Sequence, residues 1–95
     1  MATIPERIAS HEAARMVAEE RQERTTRDLA ELWERIDAGE EIPGFKVDGC
    51  RATAGRAADK LNDLRNRLSA LYAEAYAEGW SLSTIRDEIE QAVRP

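Results

Sequence analysis

The sequence predicts an all-α protein, and three observations lead to that prediction. Sixteen of the 95 residues are alanine, a residue that favours helix over strand. Apolar residues recur at helical spacing in several segments, and glycine and proline are concentrated in one stretch, residues 39–52. We therefore predict a single helical domain over residues 1–95, a helical hairpin or small bundle with a long leucine-seamed helix and a short C-terminal helix.

Residues 1–38 are predicted to form a charged N-terminal helix. The opening TIPERI places Thr3 and Glu6 at the spacing of a capping box, with Pro5 in the first turn, where its missing N–H costs little. Few apolar residues follow until the stripe at Leu29, Leu32, Trp33 and Ile36, which should face the core. Gly39 is the expected C-cap.

Two threonines leave the number of N-terminal helices open. Thr25 and Thr26 stand before Asp28 in TTRDLAELW, a pattern that resembles a new N-cap with an acidic residue in the first turn. Residues 5–38 therefore form either one helix or two.

A loop is predicted at residues 39–52, GEEIPGFKVDGCRA, because it contains three glycines and a proline. Pro43 and Gly44 fit the central positions of a type II turn, and FKV after them alternates as a short extended piece would. Two alternatives are open for the apolar side chains of this loop: they pack over the helices, or they protrude as a binding loop. These side chains are Ile42, Phe45 and Val47.

The most regular apolar pattern predicts a long helix over residues 53–78. Its seam follows the 4, 3, 4, 3, 4 spacing of a coiled coil or an antiparallel helical hairpin, and consists of Ala57, Leu61, Leu64, Leu68, Leu71 and Ala75. Thr53 is the expected N-cap and Gly79 the expected C′ residue. The cover for this seam must come from residues 29–36, from the final helix or from a second chain, and we predict a homodimer formed through the seam.

A short C-terminal helix is predicted at residues 82–94, capped by Ser81 or Ser83. Its apolar face consists of Leu82, Ile85, Ile89 and Val93.

The residue inventory predicts no enzyme, no cofactor and no metal site. HEAAR at His11 is close to the zinc-binding HExxH pattern, but Arg15 occupies the second ligand position and His11 is the only histidine. Cys50 is the only cysteine, which excludes an internal disulfide and favours a reducing cytoplasm. No glycine-rich phosphate loop is present.

Charge is unevenly distributed along a chain whose net charge is −5. Residues 1–50 contain seven basic and twelve acidic residues, whereas residues 51–68 contain five basic and two acidic residues. The basic group consists of Arg51, Arg56, Lys60, Arg65 and Arg67. It predicts either a contact for phosphates or an acidic partner, or the electrostatic complement of the acidic N-terminal helix.

The stretch LYAEAYAEGWSLSTIRDEI, residues 71–89, resembles the first two helices of bacterial helix-turn-helix domains. The matching positions are Gly79, Ser81, Leu82, Ile85 and Ile89. In that family a tight turn and a recognition helix follow, and the recognition helix enters the major groove. Here EQAVRP follows instead, so we expect the recognition helix to be absent.

These patterns predict a small helical protein-protein interaction or regulatory protein of the adaptor, inhibitor or phage-type modulator kind. We expect it to come from a bacterium or phage and to lie in the cytoplasm, not in a membrane. The alternative is a DNA-binding regulator that uses a degenerate helix-turn-helix as a dimer. The residues predicted to contact a protein partner of unknown identity are Trp33, Leu61, Leu64, Leu68, Leu71, Tyr72 and Trp80.

Overall fold

The structure, a computed structural model, describes residues 1–94 and is helical over most of them. Its three helices are α1 (Ile4–Asp37), α2 (Gly44–Ala77) and α3 (Leu82–Val93). The all-α prediction is confirmed, including the long helices and the short C-terminal one. Pro95, the last residue of the predicted domain, lies outside the described residues.

Helix α1 begins at the predicted Thr3–Glu6 pair, with Thr3 as the N-cap, and runs without a break. The Glu6 N–H donates to Thr3 Oγ1 at 3.2 Å, and Thr3 Oγ1 donates to the Glu6 carboxylate at 3.1 Å. The chain stays helical through Thr25, whose hydroxyl donates to the Gln22 carbonyl at 3.0 Å. Because this hydroxyl bonds back to the preceding turn, Thr25 does not start a new helix. The structure thus selects one N-terminal helix over two.

Helix α1 ends in a Schellman turn at Gly39, which has φ 94°. The Gly39 N–H donates to the Ile36 carbonyl and the Glu40 N–H to the Arg35 carbonyl, both at 3.0 Å. These bonds satisfy carbonyls that the helix end would leave free, and the positive φ explains the glycine. The predicted C-cap is confirmed.

Helix α2 ends in the same way at Gly79, which has φ 82°. The Gly79 N–H donates to the Tyr76 carbonyl at 3.1 Å, and the Trp80 N–H donates to the Ala75 carbonyl at 3.0 Å. Ser81 then caps α3 by accepting the Thr84 N–H at 3.2 Å, so Ser81 and not Ser83 is the N-cap.

The predicted loop at residues 39–52 is wrong in most of its length, because α2 already begins at Gly44. The connection between α1 and α2 comprises only residues 38–43, and FKV is helical instead of extended. Thr53 is not an N-cap, since its hydroxyl donates to the Gly49 carbonyl inside the helix at 2.9 Å. Half-burial of Val47 and Cys50 offsets the cost of interior glycines, roughly 1 kcal/mol each.

The chain divides into two compact units, and we describe each by itself. Unit 1 comprises Met1–Val17 and the chain from Asn62 onward. It is a three-helix bundle with a core of large aliphatic side chains. The core residues are Ile4, Ile8, Leu68, Leu71, Ala75 and Ile85, with Tyr72, Trp80 and Ile89 partly buried against them.

Unit 2, Ala18–Leu61, is a helical hairpin built from the second part of α1 and the first part of α2. Its buried residues are mostly small: Ala18, Thr25, Ala57 and Leu61. The predicted stripe of α1 is only half-buried at Leu29, Leu32 and Ile36.

Candidate protein-interaction surface

The predicted contact residues differ sharply in how accessible they are. Four of the seven are buried within a single chain, namely Leu61, Leu64, Leu68 and Leu71. Tyr72 and Trp80 are half-buried against the unit 1 core. Trp33, in contrast, is 43% exposed. Of these seven residues, Trp33 is therefore the one that a partner reaches most readily without opening the fold.

Trp33 belongs to the end of the unit 2 hairpin, residues 31–48, which we call the hairpin end. Trp33 lies four residues before the last residue of α1, and Phe45 is the second residue of α2. At 1.5 Å per residue, both lie within about 6 Å of the α1–α2 connection along their helix axes. Phe45 is 74% exposed. Two large aromatic side chains thus reach solvent near the same turn.

The hairpin end is strongly acidic. Residues 31–48 contain six acidic and two basic residues, a net charge of −4. The acidic residues are Glu31, Glu34, Asp37, Glu40, Glu41 and Asp48. A surface that combines aromatic groups with this charge is suited to a partner that offers apolar pockets rimmed by cations.

An ion pair closes the turn of the hairpin end. Arg35 Nε donates to Glu40 Oε2 at 2.8 Å, and Arg35 Nη2 donates to Glu40 Oε1. The hydrogen bond from Arg35 holds the pKa of Glu40 below its ordinary value. In a Schellman turn these two positions usually make an apolar contact, so here a bidentate ion pair takes its place.

A polar cluster in unit 1 joins α1 to α2. Tyr72 Oη donates to Glu12 Oε1 at 3.3 Å, while Arg15 donates to Glu12 Oε2 from Nε at 3.0 Å and from Nη2 at 2.7 Å. Burial raises the pKa of Tyr72, and the charge of Glu12 raises it further. A tyrosine held neutral in this way is a poor base, and the Glu12 carboxylate is bound on both oxygens. The cluster therefore fits a positioning role better than a catalytic one.

His11 and Cys50 lie apart from any metal-binding arrangement. His11 Nδ1 is 2.8 Å from the Arg7 carbonyl oxygen, in the preceding turn of α1. Cys50 is half-buried beside a small groove of about 210 Å³ in unit 2. Within residues 1–94, no group of three or more histidine, cysteine, aspartate or glutamate side chains could hold a metal ion.

The basic residues predicted to contact phosphates or an acidic partner are all exposed: Arg51, Arg56, Lys60, Arg65 and Arg67. Arg67 forms an ion pair with Asp63 at 3.1 Å, and Arg56 donates to Thr53 Oγ1 at 3.3 Å. Both contacts join residues within α2, so their energetic contribution is small and the cations stay accessible.

A second groove, in unit 1, has a volume of about 440 Å³ and opens widely to solvent. Its walls come from α1 and α3 and consist of small or polar side chains with two carboxylates: Glu6, Ala9, Ser10, Ala13, Glu88, Gln91 and Ala92. No large aromatic side chain and no cation lines it. It offers less to a partner than the hairpin end does.

Comparison with known proteins gives no match among family models, curated proteins or solved structures. No helix in the described part of the chain is both long and apolar enough to cross a membrane. Function must therefore be inferred from the surface of this chain alone.

The sequence leaves open whether Phe45 packs or protrudes, because it places Phe45 in a loop at residues 39–52; the structure places it, exposed, in the first turn of α2. Its exposure follows from its position relative to Cys50 once both residues are known to lie on one helix. When these residues are placed on a helix at 100° per residue, Phe45 lies about 140° away from Cys50. Cys50 is half-buried, so Phe45 falls on the outer side.

Proposed function

We propose that this chain is a small helical interaction protein that binds a partner protein through the hairpin end, with Trp33 as the central contact. The observation that supports this most directly is the exposure of Trp33 in a chain whose leucine seam is already buried. Tryptophan is enriched among the residues that dominate binding energy at protein interfaces. Adaptors, inhibitors and phage-type modulators are proteins of this general kind.

The charge around Trp33 supports a selective contact. With a net charge of −4 over residues 31–48, the hairpin end repels acidic surfaces and attracts basic ones over the range set by salt screening. The single thiol at Cys50, which has no partner cysteine, supports a cytoplasmic site of action.

A matched pair of variants tests this function. Trp33→Ser removes the proposed contact, and Tyr76→Ser removes an aromatic side chain of unit 1 that is 58% exposed. Each tagged variant is used to capture binding proteins from the native host after nuclease treatment, and the dissociation constant is then measured with the purified partner. Trp33→Ser should weaken binding by about 10-fold or more, and Tyr76→Ser should leave it unchanged. If both variants lost the same amount of affinity, the hairpin end would be excluded as the binding surface.

A second candidate function is DNA binding, favoured by the exposure of all five basic residues between 51 and 67. The resemblance of residues 71–89 to two helices of a helix-turn-helix domain supports it, whereas the net charge of −5 opposes it. Changing Arg56, Lys60 and Arg67 to glutamate distinguishes the two candidates. If the chain is a DNA-binding protein, duplex affinity should fall steeply with salt and disappear in this variant. If it is a protein-binding module, the variant should keep its protein partner.

A further inference from the structure

The outer side of α2 in unit 2 carries an apolar and charged face that no part of unit 2 covers. At 100° per residue, six exposed residues fall within an arc of about 120°. They are Phe45, Asp48, Gly49, Ala52, Gly55 and Arg56, and we call them the α2 outer face. The buried Ala57 and Leu61 lie on the opposite side of the helix. Phe45 therefore points away from the hairpin interior.

Two glycines show how open this face is. A Cβ atom built on Gly49 or Gly55 would meet nothing within 4 Å. Glycine inside a helix is destabilising relative to alanine, and neither residue has a positive φ that requires glycine. Nothing in the part of the chain that the structure describes thus accounts for these two glycines. Close approach of a second helix would account for both glycines, because it needs small residues at the point of contact.

The charges on the α2 outer face are complementary to those on the same face of a second, antiparallel chain. Asp48 lies four residues before Ala52, and Arg56 lies four residues after it. An antiparallel copy that crosses at Ala52 therefore brings Asp48 of each chain level with Arg56 of the other. Lys60, eight residues after Ala52, comes level with Gly44, beside the acidic α1–α2 connection.

The groove beside this face supplies a receptor for the incoming cation. It is about 210 Å³ in volume and is lined by Thr25, Asp28, Gly49, Cys50 and Thr53. Asp28 gives it one carboxylate, and no cation lines it. Helical side chains lean toward the N-terminus of their own helix, so an arginine at position 56 of an antiparallel copy leans toward this groove.

We propose that the α2 outer face is a self-association surface, on which a second copy of this chain docks antiparallel with Ala52 near the two-fold axis. The contact is isologous, because the same residues serve on both chains. It differs from a dimer through the leucine seam, whose residues are buried within one chain. It shares Phe45 and Asp48 with the hairpin end but does not involve Trp33, and as an association of identical chains it depends on concentration.

Complementary charge reversal tests the proposal. In an Asp48→Arg dimer two arginines meet at each contact, and in an Arg56→Asp dimer two aspartates meet there. Sedimentation velocity at low salt should therefore show the dimer dissociation constant of each variant raised about 10-fold or more. An equimolar mixture of the two restores opposite charges at every contact and should dimerise as the wild type does. Glu23→Arg, on the exposed side of α1, is the control and should dimerise normally.

Cross-linking tests the two-fold axis directly. In a Cys50→Ser background, Ala52→Cys should form a disulfide-linked dimer on mild oxidation, and Ala30→Cys on α1 should form it at least about 10-fold more slowly. Circular dichroism checks that all variants stay helical. The proposal is overturned if the wild type stays monomeric from about 10 to 500 micromolar, if the charge-reversed mixture stays monomeric, or if the two cysteine variants cross-link at the same rate. None of these results depends on whether Trp33 binds a partner.

Discussion

The two units bury different kinds of side chains, although they share α1 and α2. Unit 1 has a third helix, α3, and a core of isoleucine and leucine side chains in which Ile8 and Ile85 are fully buried. Unit 2 has two helices, and among its large apolar side chains only Leu61 is fully buried. Two helices alone leave one flank of each apolar stripe open to solvent. We infer that unit 1 supplies most of the stability, whereas the two exposed aromatic side chains of unit 2, Trp33 and Phe45, lie near a single turn.

The two glycine turns repeat this contrast on a smaller scale. At Gly79 the residue after the glycine is Trp80, which packs against the unit 1 core that contains Ala75. At Gly39 the corresponding residues are Glu40 and Arg35, which form an exposed ion pair. The backbone hydrogen bonds are the same, but one turn is closed by burial and the other by charge. The turn at Gly39 should therefore respond to pH and salt.

The largest loss of stability is expected from a charge placed in the unit 1 core. Leu68→Asp should destabilise the protein by about 4 kcal/mol or more, because a buried carboxylate has no partner there. Urea denaturation followed by circular dichroism measures this, with the exposed neighbour Ser69→Asp as a control within about 0.5 kcal/mol of wild type. If the wild type is a dimer and Leu68→Asp is a folded monomer, the leucine seam instead joins two chains.

The turn glycines give the next largest effect. Gly79→Ala and Gly39→Ala should each cost roughly 1–2 kcal/mol, because both residues have positive φ and an L side chain is strained there. No atom would obstruct the new methyl group, so the loss is conformational. Gly55→Ala is the matched control, since it has ordinary helical geometry and should stabilise the monomer by roughly 0.5–1 kcal/mol. A neutral Gly79→Ala variant would contradict the observed φ.

Hydrogen exchange compares the units without mutation. Amides of α1 in unit 2, residues 18–37, should exchange about 10-fold or more faster than those of residues 8–17 at equal intrinsic rates. This corresponds to opening that is easier by about 1.4 kcal/mol. Equal protection along α1 would show that the helix opens as one cooperative element, and the contrast between the units would then be one of composition alone.

A smaller effect is expected from the polar cluster of unit 1. Tyr72→Phe removes the hydrogen bond to Glu12 and should cost about 0.5–1.5 kcal/mol at neutral pH. The pKa of Tyr72 is raised, so the stabilising contribution of its neutral form is present below the ordinary tyrosine pKa and is lost as pH rises through the raised value. Wild type and Tyr72→Phe should therefore converge in stability in strong alkali, which thermal denaturation across pH can follow.

The ion pair at the Gly39 turn gives the smallest expected effect. The pKa of Glu40 is lowered mainly by the hydrogen bond from Arg35, so any stabilisation is present above the ordinary glutamate pKa and is lost as pH falls through the lowered value. NMR titration of the Glu40 side chain should show the lowered pKa in wild type and an ordinary one in Arg35→Gln. An unchanged pKa in that variant would mean that the pair does not persist in solution.

Much of the fold follows from local patterns in the sequence. The N-cap at Thr3, the glycine turns at Gly39 and Gly79 and the leucine seam of α2 all lie where their spacing places them. Each is a local device with a strong positional signature, because it satisfies helix-end groups or repeats with the helical period.

The points that the sequence left open or predicted wrongly share a different physical origin. Thr25 and Thr53 resemble N-caps, but each hydroxyl instead donates to a carbonyl of the preceding turn. The same side chain can stabilise a helix start or bond back within a helix, and only packing against a neighbouring helix selects one of the two. The glycines of residues 44–52 indicate a loop for the same reason. The destabilisation of a helix by glycine is a local property, whereas the burial that offsets it depends on residues elsewhere in the chain.

By itself, the sequence determined that this protein is helical, where α1 begins, that glycine turns end α1 and α2, and which residues form the buried seam of α2, because these properties depend on local hydrogen bonding and periodicity. Only the tertiary structure decided that α1 is continuous, that α2 begins at Gly44, and that the leucine seam is covered while Trp33 and Phe45 stay exposed. These outcomes depend on which faces meet across the chain. The accessible surface, and with it the proposed function, is what remains after those faces have packed.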